Sequence, residues 1–332
     1  MIAFIIRRLL QALLVMLAVA FISFSLFRYV GDPILSIVGQ DTTPDEREQL
    51  RRDLGLTDPV VIQFARFVFN AARGEFGISY NQRRPVIDIF IERLPATLEL
   101  SLLSAFLALG IGIPMGVYSG LHRDHWLSRV FQIISLVGIS LPPFFVGILL
   151  IFAFAVNLGW LPSSGRGETV AIGWWSTGFL TVEGLKSLIL PAFTLGLFQM
   201  TLIMRLVRSE MLEVLLTDFI KFSRARGLRS RAINFGHALK NTLVPVITVT
   251  GLQVGSIVAF AIITETVFQW PGLGFLFLQS VVNADIPVMA AYLVFVAAFF
   301  VVINLIVDLL YYVIDPRLRI DRAEIGGNPG EL

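Results

Sequence analysis

The sequence predicts an all-α membrane protein with six transmembrane helices and a small external subdomain between the first and second spans. Composition is the first reason. The 332 residues are 56% apolar and only 15% charged, with a mean hydropathy of +0.79, whereas a soluble domain carries about 25% charged residues. Spacing is the second. Apolar runs long enough for a helix of roughly 20 residues to cross the hydrocarbon core recur at about 9–30, 97–120, 130–158, 187–204, 245–268 and 287–314. The third is that the two long polar interruptions, 31–95 and 205–243, carry helical patterning of their own and do not read as tethers.

The first run follows Arg7 and Arg8, and Ala18-Val19-Ala20 mimics a signal cleavage site. A signal core is about 7–15 residues long. This run continues through Phe21, Ile22, Phe24, Leu26 and Phe27, so a retained span is expected. In 31–95, Thr43 is placed to cap a short helix beginning Pro44-Asp45-Glu46, with acids in its first turn. A second amphipathic helix is expected over about 60–72, where Val61, Phe64, Phe67 and Val68 recur at helical spacing. Pro142-Pro143 should kink the third span. The tail beyond Asp321, ending Gly-Gly-Asn-Pro-Gly-Glu-Leu, has the composition of a disordered end.

Short loops orient a membrane protein by their Lys and Arg. An inside N-terminus gathers Arg7, Arg8, Arg123, Arg129, the basic segment 205–243, Arg317, Arg319 and Arg322 on one side. The opposite connections, 159–186 and 269–286, hold only Arg166 and Lys186. Segment 31–95 is long enough to escape the rule, and its acids outnumber its bases. Both termini are therefore expected inside. The net charge of +2 gives no argument for nucleic acid. The absence of cysteine excludes disulfides, zinc–thiolate sites and thiol nucleophiles.

The segment 205–243 holds Arg205, Arg208, Lys221, Arg224, Arg226, Arg229, Arg231 and Lys240 against Glu210, Glu213 and Asp218. Thr217 can cap a short helix with Asp218 in its first turn, where a carboxylate suits the positive end of the dipole. Phe219, Ile220, Phe222 and Ala225 supply apolar contacts, and Gly227 is placed as a C-terminal stop. Ser230 can cap a second helix to about Leu243, with Pro245 just inside the next span, where the helix is expected to restart. Two short helices with a glycine elbow make a compact knob that a soluble partner could grip, or that anionic headgroups could hold. A plain basic loop obeying the orientation rule has the same composition.

The run Asp218-Phe219-Ile220-x-x-x-Arg224-Ala225-Arg226-Gly227-Leu228, followed by His237-Ala238-Leu239-x-Asn241-x-Leu243-x-Pro245, resembles the EAA-type loop of ABC importer permeases. More narrowly, it is similar to the B-type permease of the dipeptide/oligopeptide/nickel importer family. Gly74-x-Phe76-Gly77-x-Ser79, Arg93-Leu94-Pro95-Ala96-Thr97-Leu98-Glu99-Leu100 and Ser140-Leu141-Pro142-Pro143-Phe144-Phe145 agree. So do Glu265-x-Val267-Phe268-x-x-Pro271-Gly272-Leu273-Gly274 and Asp308-x-x-Tyr311-x-x-x-Asp315-Pro316-Arg317. Two features depart from the generic pattern. Lys221-Phe222-Ser223 stands where Glu-Ala-Ala is usual, and Pro245 lies further from Gly227 than usual. Both departures resemble the peptide branch.

The resemblance implies a type I ABC importer permease fold in a bacterial inner membrane. It divides the chain into a first transmembrane helix (1–30), a periplasmic subdomain (31–95), a five-helix permease core (96–315) with coupling loop 205–243, and a cytoplasmic tail (316–332). Its implied partners are a homologous second permease, two ABC ATPase subunits that hold ATP and Mg, a periplasmic substrate-binding protein and the lipid bilayer. Within the loop it implies Gly227 as elbow, with Phe219, Phe222 and Leu228 as apolar anchors beside Ala225. Arg224 and Arg226 become charged contacts to the ATPase, Asp218 a cap, and His237, Asn241 and Pro245 braces. No cofactor is expected in the chain itself, because none of its lysines (Lys186, Lys221, Lys240) follows a glycine as a P-loop requires.

Polar groups within the spans face the bundle interior, so Ser104, Gln132, Ser135, Gln199, Gln253, Ser256 and Asn304 are cavity or interhelix candidates. Pro142-Pro143 reads as a hinge or as ordinary packing. Glu265 could meet a cationic substrate or tie down the turn Trp270-Pro271-Gly272. Asp308 is expected to pair with a cytoplasmic arginine. A membrane serine protease needs a base near Ser140, yet His122, His125 and His237 all lie in cytoplasmic segments. The short His122-Arg123-Asp124-His125 turn reads as solvated more readily than as a metal site. Neither inverted repeats nor mid-span ionisable residues argue for a secondary transporter or channel.

Overall fold

The computed structural model describes residues 2–29 and 57–314, together with Thr43, Asp45, Glu48, Gln49 and Arg52. Of the short helix expected after Thr43, the described residues Asp45, Glu48, Gln49 and Arg52 are helical, and Arg52 pairs with Glu48 at 3.7 Å. The Asp308 side chain, Asp315-Pro316-Arg317 and the tail lie outside the described residues. The described chain runs α1 (Ile2–Tyr29), α2 (Val60–Ala72), α3 (Val86–Leu121), α4 (Trp126–Ser140) and α5 (Pro143–Leu150), which continues as a π-helical turn over Ile151–Asn157. A hairpin of β1 (Val170–Ile172) and β2 (Trp175–Thr177) follows. Then come α6 (Val182–Leu216), α7 (Asp218–Ala225), a π-helical turn Ala232–Ala238 that runs straight into α8 (Leu239–Val267), α9 (Leu273–Val282) and α10 (Ile286–Ile314).

Among the described residues four helices are long and apolar enough to cross a membrane: Ile6–Leu26, Val86–Leu121, Val182–Leu216 and Ile286–Val307. The number becomes six if two bent pairs each count as one span. The first pair is α4 with α5 and its π-turn, meeting at 111°; the second is the two parts of α8, bent by 45° between Gly251 and Gly255. At Leu141 the chain leaves the helix for an extended conformation (φ −92°, ψ 134°). Pro142 disfavours helical geometry at Leu141, and Pro143 does the same to Pro142. Two successive prolines therefore give a sharp break in place of the expected kink.

Three further details differ from the expectation. The fold is not purely α, because Val170–Ile172 pairs antiparallel with Trp175–Thr177. Gly173 has φ +63° at the tip, as the first central residue of a tight hairpin turn requires. The basic segment is not a loop from its start either, since α6 carries Arg205, Arg208, Glu210 and Glu213 to Leu216. Nor does a helix restart at Pro245, which lies inside a continuous α8.

The chain divides into two compact units. The first comprises residues 1–100, 147–191 and 258–301. Its core sets Val86, Ile89 and Phe90 of α3 against Leu273 and Leu276 of α9 and Val288, Ala291 and Tyr292 of α10. The Phe277 and Tyr292 rings stack at 4.5 Å, and Phe90 meets Phe295 edge-on at 6.1 Å. Elsewhere in this unit α2 rests on α1, with Phe64 5.7 Å from Phe21 and 5.6 Å from Phe24.

The second unit comprises residues 101–146, 192–257 and 302–332. Its core joins Ala108 and Val117 of α3 to Met200, Ile203, Val207 and Met211 of α6, then to Ile220, Ile233, Ala238 and Val246. Gly112, Gly116 and Gly120 recur every four residues on one face of α3. A Cβ on Gly116 would lie 2.6 Å from Val207 and 2.7 Å from the Met204 carbonyl. The glycines therefore let the α3 and α6 backbones approach as closely as side-chain-free helices can.

Candidate functional site

Of the residues singled out in the sequence, the second unit holds one contiguous group, from Thr217 to Asn241. Thr217 takes the extended conformation of an N-cap (φ −67°, ψ 152°). Its hydroxyl, however, donates back to the Val214 carbonyl at 2.6 Å and does not cap α7. Asp218 is fully exposed, and the Lys221 ammonium 2.8 Å away holds its carboxyl below the usual carboxylate range by hydrogen bond and charge. Ile220 is wholly buried in the core of this unit. Phe219 and Phe222 on the same helix are exposed, at 42% and 63%.

The helix ends as its sequence dictates. The Gly227 amide donates to the Arg224 carbonyl (2.9 Å) and the Leu228 amide to the Ser223 carbonyl (3.4 Å). Gly227 sits at φ +76°. These are the two bonds and the left-handed residue of a Schellman stop. Beyond it Leu228 and Phe235 are exposed, while Ile233 returns to the core. Arg224, Leu228, Ser230, Ile233 and Asn234 line a cavity of about 380 Å³ at the elbow. The Arg226 guanidinium lies 5.7 Å from the Phe222 ring centre. Ala225 and His237 are exposed, and the Asn241 amide nitrogen donates to the His237 carbonyl one turn back (2.8 Å). Pro245 is half-buried in α8.

This arrangement has a simple physical sense. One face of α7 is fixed by Ile220, and the other presents two phenylalanines among arginines. Exposed aromatic and arginine side chains in one patch are the composition of a protein-binding surface.

The remaining candidates are spread through the molecule. In the second unit the Gln199 side-chain amide donates to the Ser256 hydroxyl (3.1 Å), which donates to the Gln253 carbonyl (2.7 Å). Gln132 donates to the Ser128 carbonyl one turn back (3.2 Å), and Asn304 is half-buried. Pro142 is exposed and Pro143 half-buried at the break. The His125 ring accepts from the Leu127 amide (3.3 Å) as the cap of α4. Among the described residues no group of three or more His, Asp or Glu could hold a metal.

Glu265 lies in the first unit, fully buried. Its carboxylate accepts from the Thr97 hydroxyl (2.7 Å) and the Phe275 amide (2.8 Å). Thr97 in turn accepts from the Leu273 amide (2.8 Å), and the buried Trp270 indole donates to the Ala96 carbonyl (2.9 Å). A Cβ on Gly272 would collide with the Glu265 carboxylate. The Pro271-Gly272 turn is thus wrapped around this acid. Thr97→Val is expected to cost about 1–3 kcal/mol for each polar group it orphans, here the Leu273 amide and one Glu265 oxygen. A lowered unfolding midpoint of the detergent-solubilised protein checks it.

Sequence reasoning missed two polar anchors in this unit. Buried Glu99 accepts from Arg166 Nη2 (2.7 Å), Trp175 Nε1 (3.2 Å) and the Gly178 amide (3.2 Å), which fastens the β-hairpin to α3. Asp285 accepts from the Ser79 hydroxyl and from the Tyr80 (3.1 Å) and Asn81 (3.2 Å) amides. A signal for the first existed. An acid inside an apolar run needs a partner, and the 159–186 connection offers only Arg166 and Lys186.

With the apolar spans and the exposed basic knob in place, comparison with known proteins gives the class: a transport permease, the non-catalytic membrane subunit of an importer. The chain belongs to the ABC importer permeases: residues 112–320 match the family model of the binding-protein-dependent transport system inner membrane component, and residues 1–101 match the N-terminal model of the same membrane component. Among curated relatives, the oligopeptide transport system permease protein AppB of Bacillus subtilis (strain 168) is 38% identical over 96% of this chain and 100% of its own. The dipeptide transport system permease protein DppB of Escherichia coli (strain K12) is 35% identical over 96% of this chain and 99% of its own. Among solved structures, the MetNI methionine ABC transporter in inward-facing conformations matches with a TM-score of 0.54 at 21% identity. That match covers 68% of this chain and 96% of the other, and it speaks to the fold.

Proposed function

We propose that this chain is the B-type permease of an ATP-driven peptide importer, with six spans and both termini in the cytoplasm. It forms the translocation path with a homologous second permease and couples to two ATPase subunits, which bind the ATP and Mg. A periplasmic binding protein delivers the substrate. The organisation into a first span (1–30), periplasmic subdomain (31–95), permease core (96–315) and tail (316–332) follows from that reading. The observation that carries the proposal is the exposed face of α7 and its elbow, in a chain whose curated relatives are peptide transport permeases. Phe219, Phe222 and Leu228 seat in an ATPase groove, Arg224 and Arg226 pair with its acids, and Ala225 leaves room for close approach. Gly227 sets the elbow angle, Asp218 stays as a solvated helix-start charge, and His237, Asn241 and Pro245 stiffen the following helix. Gln132, Gln253 and Asn304 are the path candidates, Pro142-Pro143 the hinge, and Glu265 the buried post of the outer turn.

The test is co-expression with a second permease and ATPase chains from the same operon. The complex is isolated in detergent, and ATP hydrolysis is assayed with and without binding protein loaded from a peptide pool. A stable complex whose hydrolysis rises with loaded binding protein supports the reading. A chain that purifies alone yet moves peptides in vesicles overturns it in favour of a self-sufficient transporter.

A further inference from the structure

Helix α2 has an apolar surface wider than its contact with α1. Its polar side chains, Gln63, Arg66 and Asn70, with Arg73 directly after its last residue, follow one another at intervals of three and four residues and so form one narrow strip. The opposite side is apolar through Phe64 and Phe67, whose rings meet Phe21 and Phe24 of α1, and on through the exposed Val61, Ile62, Ala65 and Phe69. Val61 is 77% exposed, Ile62 49% and Phe69 55%, and no residue of α2 is fully buried. Among the described residues, half of the apolar arc therefore has nothing packed against it.

Depth within the membrane says what covers it. Helix α1 is a candidate span over Ile6–Leu26. The rings that α2 touches, Phe21 and Phe24, stand five and two residues before Leu26. At about 1.5 Å per residue, that places α2 roughly 3–8 Å inside the end of the apolar stretch. An amphipathic helix lying in a bilayer surface buries its apolar face to about 5–10 Å, so the two depths agree. Phe21 and Ile22 are themselves 55% and 57% exposed on α1, so both helices carry bare apolar surface. The charges fit as well. The helix carries no acid, Arg66 pairs with Asp58 at 2.8 Å, and the Arg73 guanidinium stands 4.0 Å over the Phe69 ring, as a snorkelling cation at a membrane surface can.

We propose that α2 is an interfacial helix, lying flat in the leaflet where α1 ends with Val61, Ile62 and Phe69 among the acyl chains and the Gln63–Arg66–Asn70 strip at the headgroups. This role is separate from energy coupling and does not depend on which side of the membrane the N-terminus occupies.

Because the chain has no cysteine, single spin labels can be read without background. Val61→Cys, Ile62→Cys, Gln63→Cys, Phe69→Cys and Asn70→Cys are made in the full chain, labelled and reconstituted into phosphatidylethanolamine/phosphatidylglycerol vesicles. Collision with oxygen is then compared with collision with a water-soluble nickel chelate. Labels at 61, 62 and 69 are expected to favour oxygen severalfold over those at 63 and 70, an oscillation that also verifies the helix. Nickel access at all five positions places α2 in water and overturns the proposal. Shielding of 61, 62 and 69 from both reagents overturns it in favour of a protein partner.

Discussion

Replacing Gly227 with valine is expected to lower ATP-dependent uptake by roughly 5- to 30-fold, the factor that corresponds to 1–2 kcal/mol, while the protein still inserts and folds. Backbone strain is the cause. At φ +76° a side chain strains the backbone, by about 1–2 kcal/mol for an L-residue in the left-handed region. Steric conflict adds nothing, because a Cβ at this position would have no neighbour within 4 Å. The strain therefore falls on the angle between α7 and the helix after it. Gly227→Asn provides the control, since asparagine enters the left-handed region readily and should keep most of the activity. Gly227→Trp adds bulk to an exposed elbow and should also block association with the ATPase. Uptake by the valine and tryptophan variants at the level of the unaltered protein would show that the elbow is not used in coupling.

The second large effect is expected on stability. Arg166→Met removes the cation from beside Glu99, a carboxylate only 1% exposed, and leaves it with the Trp175 indole and the Gly178 amide. Breaking a buried ion pair from one side costs about 3–5 kcal/mol. The unfolding midpoint should drop and the hairpin between Val170 and Thr177 should become open to protease. In the double variant Glu99→Gln, Arg166→Met, no charge remains to be buried and the glutamine oxygen can still accept from Gly178, so most of the loss should return. Equal loss in the single and double variants would mean that packing, and not charge, holds the hairpin.

Much of this was legible in the residue order because it is local. An apolar run of some twenty residues announces a span, and Val61, Phe64, Phe67 and Val68 at helical spacing announced α2. Gly227 announced the end of α7, since glycine is the residue that takes the left-handed stop. What stayed hidden depends on distant partners. Glu99 and Arg166 are separated by 67 positions, and although an acid in an apolar run calls for a partner, local pattern does not choose between Arg166 and Lys186. The hairpin rests on the same acid. The continuity of α8 through Pro245 was hidden for a different reason. A proline removes one helix bond and usually marks a boundary, but the neighbouring Val246 is buried in the core, and packing of that face holds the helix together.

That continuity has a mechanical consequence. From Ala232 to Gly251 the helix is unbroken, so the segment that follows the elbow and the first part of α8 form a single rod, about 28 Å long at 1.5 Å per residue. A rod neither stretches nor absorbs a push. A tilt of about 5° at the Ala232 end carries the far end sideways by roughly 2.4 Å over that length, enough to change which side chains face one another. The first place where such a stroke can change direction is the bend between Gly251 and Gly255. Gln253, which accepts from Ser256, stands there, so the end of the lever and the polar cluster of the second unit coincide.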